Sequence, residues 1–360
     1  MLTPISLSKP GGNLKKSLKV TGVVAAAALA FAGLALAPAS QAATPKVCLA
    51  LDTGGIDDHS FNASAWAGAQ TVKSLANVSY VVADANNPDY TGEVNSLVNN
   101  KCNLIIGVGF LITSAIDAAA VKNPTINFAQ VDDPGLVNGK AIANLRGLTF
   151  ATNQVGFLSG YLAAGYSKTG TVATYGGINI PPVTIYMDGF AKGAAYYAKI
   201  NKKTIKVLGW DPADPKTGVF VGDFSSQNKA LQITKNFEQQ GADVVFPVAG
   251  GLELASAQEA AASKKSVVIG VDSDAYGLYP TALHGVWLNS ALKGVGASVA
   301  AVIKDQAAGK FNNAAYVGTL ANGGTGLAGY HDLAAKVPGS LQNAVRALGK
   351  AIAAGTVSAN

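Results

Sequence analysis

Charged residues are scarce in this chain of 360 residues: only 13% are Asp, Glu, Lys or Arg, while 49% are hydrophobic. Globular proteins carry about 25% charged residues. An intrinsically disordered chain combines low hydrophobicity with high charge, so that class is excluded. At roughly 150 residues per domain, the length predicts more than one domain.

Side chains that bind metals or carry out catalysis are also few. The two cysteines and three histidines do not have metal-ligand spacing, so we expect no metal site and no cofactor. The hydrolase pattern G-x-S-x-G and the metalloprotease pattern H-E-x-x-H are absent. A Ser-His-Asp triad has no fixed spacing and stays open, but no pattern points to one. No pattern in the sequence therefore favours an enzyme.

The first 42 residues have the three parts of a secretory signal peptide. Four lysines and no acid precede the apolar run Val20–Ala37, and small residues follow at Ser40 and Ala42. A membrane anchor is the alternative, since the run is about 18 residues long, at the lower limit for spanning. We expect cleavage near Ala42 and a periplasmic or extracellular protein.

The leader also explains most of the positive charge. The formal net charge is +6. Without the four leader lysines, 23 basic and 21 acidic residues remain, a net charge of +2. Nucleic-acid binding depends on clustered basic residues, and none is found, so no nucleic-acid partner is expected.

Cys48 and Cys102 are the two cysteines. An even number in an exported chain favours a disulfide, with two buried free thiols as the alternative. The bridge would close a loop of 54 residues, worth about 4 kcal/mol by the chain-entropy estimate. Cys48 follows Thr44-Pro45-Lys46-Val47 rather than a lipidation motif, so we expect no lipid anchor.

Short apolar runs alternate with helical patterns in two successive series. The predicted strands are Lys46–Leu51, Val78–Val82, Leu104–Val108, Thr125–Val131, Gly170–Tyr175, Ile205–Trp210, Asp243–Pro247, Ser266–Val271 and Gly285–Leu288. Such runs, separated by helices, are typical of parallel sheets covered on both faces. The sequence therefore predicts an α/β fold with two doubly wound lobes.

Glycines and aspartates follow the predicted strands. They are Asp52, Gly109-Phe110, Asp132, Gly176-Gly177, Gly250-Gly251 and Asp272. Ligands of doubly wound sheets bind at the carboxyl ends of the strands. If the two lobes face each other at these ends, the ligand lies in an interlobe cleft. For any single glycine, a strand-to-helix turn is the simpler explanation.

Two further features have a structural and a functional interpretation. In Asp57-Asp58-His59-Ser60-Phe61-Asn62, Asp58 or Ser60 can cap a helix starting near Phe61, whose ring is either core or a platform for a flat ligand. Lys293 is predicted to begin a helix, either as a solvated lysine or as a site residue. The Gly-Gly pair within Gly170–Gly189 lacks the phosphate-loop patterns G-x-G-x-x-G and G-K-[ST].

Several longer motifs together resemble one family. They are DTGGIDDHSFNASAWAG at 52–68, GFLIT at 109–113, LTFATNQVGFLSGYLAAG at 148–165, YGGINIPPVTIYMDGF at 175–190 and GADVVFPVAGG at 241–251. The family is the basic membrane protein (BMP) family of ABC-transporter substrate-binding proteins, which includes purine-nucleoside-binding, PnrA-like lipoproteins. The resemblance covers most of residues 46–310.

The resemblance implies a type I periplasmic-binding-protein fold, in which the chain crosses between lobes near 151, 284 and 320. The expected N-terminal lobe is 46–151 plus 285–319, and the expected C-terminal lobe is 152–284 plus 320–360. It also implies a monomer that delivers its ligand to the membrane permease of an ABC importer.

The resemblance also implies the site residues. The base would stack on Phe61 and on Phe224, for which Phe220 is a rival. Polar groups would come from six further positions, Asp52, Asn62, Asp132, Gly250, Asp272 and Lys293. The expected function is binding of a nucleoside, and a purine in particular. The alternatives are a ligand-sensing receptor subunit, a binder of another small solute, or a secreted nucleoside-processing enzyme.

Overall fold

The computed structural model describes residues 44–360, which form two α/β lobes. The predicted signal peptide lies outside the described residues. Among the helices of residues 44–360, none combines the length and apolar character needed to cross a membrane.

The strands and helices follow the alternation seen in the sequence. The strands are β1 (Lys46–Leu51), β2 (Asn77–Val82), β3 (Leu104–Val108), β4 (Asn127–Val131), β5 (Leu136–Val137), β6 (Lys140–Ala141), β7 (Leu145–Phe150), β8 (Thr171–Gly176), β9 (Lys206–Leu208), β10 (Val244–Val248), β11 (Val267–Asp272), β12 (Trp287–Lys293), β13 (Tyr316–Gly318) and β14 (Thr325–Leu327). The α-helices are α1 (Phe61–Thr71), α2 (Tyr90–Asn99), α3 (Thr113–Lys122), α4 (Thr152–Tyr166), α5 (Pro181–Asn201), α6 (Gln227–Gln239), α7 (Glu253–Ser263), α8 (Ala275–Leu278), α9 (Val295–Ala307) and α10 (Gly339–Ala353).

Each lobe is built on a six-stranded sheet. The strand orders are β13-β7-β4-β3-β1-β2 in the first lobe and β14-β12-β11-β10-β8-β9 in the second. The strands are parallel except β14, which runs antiparallel to β12. A short β5–β6 hairpin lies apart from both sheets.

Both faces of each sheet are buried, which explains the apolar strands. In β1, Val47, Leu49 and Leu51 pack into one core cluster, while Cys48 and Ala50 pack into another on the opposite face. Because a strand side chain points alternately to the two faces, a strand covered on both sides must be apolar throughout.

The second crossing between lobes lies later than the family resemblance implies. Residues 285–293 were expected in the first lobe, but β12 pairs with β11 along its length, up to Asp272 opposite Leu292. The chain therefore leaves the second lobe at Gly294 and enters α9, which packs on α1. Lys293 is the last residue of a strand and not the first of a helix, which corrects the predicted element.

Cys48 and Cys102 are joined by a disulfide, with their Cα atoms 6.0 Å apart. Cys48 lies in the middle of β1, and Cys102 lies in the turn between α2 and β3. The bridge thus ties the turn after α2 to β1, the strand that Asp52 follows.

Candidate ligand-binding cleft

The carboxyl ends of both sheets meet at one cleft. Its space free of protein atoms is about 590 Å³, including open solvent at the mouth, within the usual range of ligand pockets, about 300–1,000 Å³. The lining residues are Asp52, Gly54, Asp58, Phe61, Gly109, Phe110, Asp132, Ile180, Pro182, Val183, Tyr186, Phe224, Val248, Gly250, Gly251, Val271, Asp272 and Lys293. The cleft thus contains one cationic side chain, four carboxyl groups and several aromatic rings.

Asp52 follows β1 and is held in a fixed orientation. Its carboxylate accepts hydrogen bonds from Asn62 Nδ2 at 2.8 Å and from the backbone N–H of Gly54 at 3.1 Å. Burial raises the pKa of Asp52, and these two donors act against that rise. Asn62 is buried, does not line the cleft and acts as a support for Asp52 rather than as a lining group.

Phe61 reaches the cleft because α1 begins there. The carboxylate of Asp58 accepts the backbone N–H groups of Ser60, Asn62 and Ala63 at 2.8–2.9 Å. These donors have no partner inside the helix, so Asp58 serves as its cap. The Ser60 side chain makes no capping bond. Burial raises the pKa of Asp58 to about 7.

Lys293 of the second lobe forms an ion pair with Asp132 of the first. Their side chains are 2.7 Å apart and only 4% and 8% exposed. The Lys293 ammonium also lies 4.6 Å from the centre of the Phe61 ring and 5.4 Å from that of Phe150. Because the pair is desolvated, losing one partner would leave a buried charge without compensation.

Asp272 occupies the end of β11 with a left-handed backbone, φ 65°. The Tyr186 hydroxyl donates to its carboxylate at 3.2 Å. Burial raises the pKa of Asp272 to about 6, and the nearby positive charge of Lys293 limits that rise. At neutral pH this group is therefore a carboxylate with acceptor capacity directed to the cleft.

The structure separates the two candidate aromatic residues of the second lobe. Phe224 lines the cleft, and its ring covers Gly177, where any Cβ would collide with it. Phe220 does not line the cleft and packs edge-to-face on Trp210 at 5.9 Å between ring centres.

Gly250 and Gly251 follow β10 and begin a short 3₁₀ turn. Gly250 has φ +55°, where a side chain would add strain. A Cβ on Gly251 would come within 2.6 Å of the Asp58 carbonyl oxygen, so glycine permits close contact between the lobes at this point.

Seven of the eight predicted ligand residues therefore line one cleft, and Asn62 lies behind it. Sequence analysis did not identify Tyr186 as a lining residue. It stands one helical turn beyond Pro182 and Val183 on α5, and that spacing places all three on one face. Among residues 44–360, no group of three or more His, Cys, Asp or Glu side chains is placed to hold a metal ion.

Comparison with known proteins identifies the family. Residues 46–318 match the Bmp family model, described as ABC transporter substrate-binding protein PnrA-like. Basic membrane protein A1 of Borrelia garinii subsp. bavariensis is 31% identical over 257 residues, covering 71% of this chain and 70% of that protein. The ABC transporter nucleoside-binding protein BmpA of Lactococcus lactis subsp. cremoris is 32% identical over 242 residues, covering 64% of each.

Solved structures agree on the fold. A solute-binding protein of an ABC transporter system from Aeropyrum pernix K1 superposes with a TM-score of 0.71 at 23% identity, covering 87% of this chain and 93% of that one. A second, from Conexibacter woesei DSM 14684, has a TM-score of 0.66 at 21% identity, covering 87% and 98%. The architecture is a type I periplasmic-binding-protein fold. The chain belongs to the Bmp family of PnrA-like ABC transporter substrate-binding proteins, a family of binding proteins and not of enzymes.

Proposed function

We propose that this protein binds a purine nucleoside in the interlobe cleft and delivers it to the permease of an ABC importer. The observation that carries the proposal is the combination of Phe61 and Phe224 with the carboxylates of Asp52 and Asp272 in one cleft. Aromatic rings stack on a flat base, and carboxylates accept hydrogen bonds from ribose hydroxyls and base N–H groups.

The charge of the cleft agrees with a neutral ligand. Its lining has four carboxyl groups and one lysine, and that lysine is paired with Asp132. A phosphate group would meet repulsion from the carboxylates with no free cation among the lining residues to offset it. A nucleoside, which has many donors and no charge, fits this environment better than a nucleotide does.

The relatives support the same ligand class. The name of the Lactococcus lactis relative describes a nucleoside-binding protein. Export by the predicted signal peptide would place this chain where an importer collects solute, with a monomer as the expected form. Closing of the two lobes by bending at the interlobe crossings would enclose the ligand.

The first experiment is mass spectrometry of the small molecule released from protein purified without denaturation. It should be followed by calorimetry with adenosine, guanosine, inosine, uridine, ribose and a set of amino acids. We expect a purine nucleoside in the first measurement and the tightest binding in the second. A sugar or amino acid that binds while every nucleoside fails would refute the ligand assignment, and release of free base would indicate an enzyme.

A matched pair of variants tests the site. Phe224→Leu should weaken nucleoside binding because it removes a cleft ring, whereas Phe220→Leu, four residues away and outside the cleft, should leave affinity nearly unchanged. Equal loss in both variants would indicate a general packing effect and contradict the role given to Phe224.

A further inference from the structure

Two serines join the lobes beside the cleft. Ser60 of the first lobe lies directly before α1, and its hydroxyl donates to the carbonyl oxygen of Val271 in the second lobe at 3.0 Å. In the opposite direction, the Ser273 hydroxyl donates to the carbonyl oxygen of Ser60 at 3.5 Å. These three residues are here called the serine clasp. Ser60 is fully buried, and opening of the cleft would separate it from both partners.

The Ser60 hydroxyl is available for this contact because it does not cap α1. Asp58 accepts the backbone N–H groups at the start of the helix, including that of Ser60 at 2.9 Å. A serine at this position commonly uses its hydroxyl to cap its own helix, but here the hydroxyl crosses to the other lobe. Since a buried hydroxyl without a partner is costly, the closed arrangement depends on this bond.

The partner of Ser60 is a strained turn at the end of β11. Val271 and Ser273 flank Asp272, and the Ser273 N–H donates to the Val271 carbonyl at 2.8 Å, which closes a three-residue turn. Asp272 at its centre has φ 65°, and such turns with a positive central φ are rare and strained. The Val271 carbonyl therefore accepts one hydrogen bond from within the turn and one from the first lobe. Contacts from outside are what keep a strained turn in place.

Each half of the clasp is also held within its own lobe. Asp58 orients Ser60 in the first lobe, and the Glu253 carboxyl group accepts the Val271 N–H at 2.7 Å in the second. Asp58 and Glu253 are both buried. The two halves are thus shaped before the lobes meet, so that closure requires little further ordering at this point.

The clasp lies next to two groups that face the ligand space. Phe61 follows Ser60 directly, and Asp272 lies between Val271 and Ser273; both Phe61 and Asp272 line the cleft. The ring belongs to the first lobe and the carboxylate to the second, so their separation depends on how far the lobes close. A hydrogen bond between their immediate neighbours defines that separation in the closed form.

We propose that Ser60 is a positioning residue whose bond to Val271 sets the separation of Phe61 and Asp272 in the closed cleft and slows the release of ligand. The proposal rests on the proposed function in taking Phe61 and Asp272 as nucleoside contacts. Ligand enters while the lobes are apart, so association depends little on the clasp. Ligand leaves only after the clasp has broken, so dissociation depends on it directly.

The first measurement reads closure in the ligand-free protein. Ala85→Cys and Ala213→Cys place spin labels at exposed positions after β2 and β9, one in each lobe. The native cysteines are bridged and do not react. Pulsed electron resonance then gives the closed-to-open ratio. We expect Ser60→Ala to lower that ratio about fivefold, the usual net effect of one neutral hydrogen bond. Ser273→Ala removes a longer contact and should lower the ratio less.

Ser64→Ala is the matched control. Ser64 lies one turn further along α1, and its hydroxyl accepts the N–H of Gly296 at 3.3 Å within the first lobe. Loss of that bond can change the stability of the first lobe but leaves the contacts between lobes intact. We expect this variant to keep the wild-type closed-to-open ratio, and circular dichroism checks the fold of each variant.

The second measurement separates the two rate constants of binding. In stopped-flow fluorescence with adenosine, Ser60→Ala should raise the dissociation rate constant about fivefold and leave the association rate constant within about twofold of the wild type. A variant that is merely less stable would lose binding-competent protein without changing the dissociation rate constant.

An unchanged closed-to-open ratio in Ser60→Ala would overturn the proposal, as would an equal change in Ser64→Ala. A dissociation rate constant that stays at the wild-type value would also overturn it. The distance measurement needs no ligand, so it tests the clasp whichever solute the protein carries. Failure of every nucleoside in calorimetry would instead refute the ligand assignment.

Discussion

The two lobes share a scaffold but differ in the residues that end corresponding strands. Counted along each sheet from β13 or β14, the third strand leads into an aspartate with left-handed backbone: Asp132, directly after β4, has φ 69°, and Asp272, the last residue of β11, has φ 65°. The fifth strand is followed by Asp52 in the first lobe and by Gly177 in the second. The second strand ends at Phe150 in the first lobe and at Lys293 in the second.

Because of these differences, the two lobes supply different groups to the cleft. The first lobe supplies Asp52 where the second has a glycine, and the space over Gly177 holds the Phe224 ring instead. The second lobe supplies Lys293 where the first has Phe150, and the lysine reaches across to Asp132. Equivalent positions on two similar sheets therefore carry complementary groups. Replacing these residues one lobe at a time tests this interpretation.

Among the described residues, the disulfide lies in the first lobe and the second lobe has none. Its removal should therefore give the largest difference in stability between the lobes. The double variant Cys48→Ala/Cys102→Ala should lower the free energy of unfolding of the first lobe by about 4 kcal/mol, because the bridge restricts a loop of 54 residues in the unfolded chain. Urea unfolding would be followed by the fluorescence of Trp66 in the first lobe, compared with Trp210 and Trp287 in the second.

Chemical reduction of the wild type should give the same shift as the double variant. If the first-lobe signal keeps its midpoint, the bridge adds nothing to stability. If both lobes shift together, they unfold as one unit and the comparison between them must be restricted to the cleft.

The ion pair between lobes gives the next effect. Lys293→Met keeps most of the apolar stem but leaves Asp132 buried without its cation, so we expect a loss of about 3 kcal/mol in the free energy of unfolding. Adding Asp132→Asn removes the uncompensated charge and should restore most of that loss. Thermal and urea unfolding of the two single variants and the double variant form the required cycle. Additive losses would show that the two groups do not interact.

Asp272 and Asp132 allow a direct comparison of equivalent aspartates. Asp272→Asn should reduce nucleoside affinity about 30-fold, or about 2 kcal/mol, because a charge-assisted hydrogen bond becomes a neutral one. Asp132, already engaged by Lys293, should contribute less: Asp132→Asn is expected to reduce affinity by less than Asp272→Asn and to affect stability more. Calorimetry with the nucleoside found by mass spectrometry would measure both affinities. A larger loss in Asp132→Asn than in Asp272→Asn would show that Asp132 is the more important ligand contact.

The strands and the cleft-lining residues Asp52, Asp132, Gly250 and Asp272 could be predicted because each leaves a local signal. A strand covered on both faces is apolar throughout, and an aspartate or glycine directly after it marks the cleft edge. β12 lacked that signal: Asn289, Ser290 and Lys293 are buried polar residues that made the strand resemble a loop and a helix start. β7 was missed because it contains Arg146, which pairs with Asp305 of α9.

Relations over long sequence distances could not be predicted. The Lys293–Asp132 pair joins residues 161 positions apart, and nothing local links them. Tyr186 lies in the second turn of α5, and its role depends on where that helix crosses the end of β11. Asn62 follows Phe61 in the sequence, but only the fold shows that its amide donates to Asp52 and that it lies outside the cleft lining.

The smallest expected effect concerns the ring on the first-lobe side. Phe61→Ala should lower nucleoside affinity about tenfold, because stacking contributes about 0.5–1.5 kcal/mol beyond the burial of the base. The fold should be retained, since Phe61 is only partly buried and lies at the end of a helix capped by Asp58. Phe61→Leu keeps apolar contact without the aromatic face, so it separates stacking from burial. If the leucine variant binds as the wild type does, the ring acts as packing and support for Lys293, whose ammonium lies 4.6 Å from its centre, and the ligand stacks elsewhere.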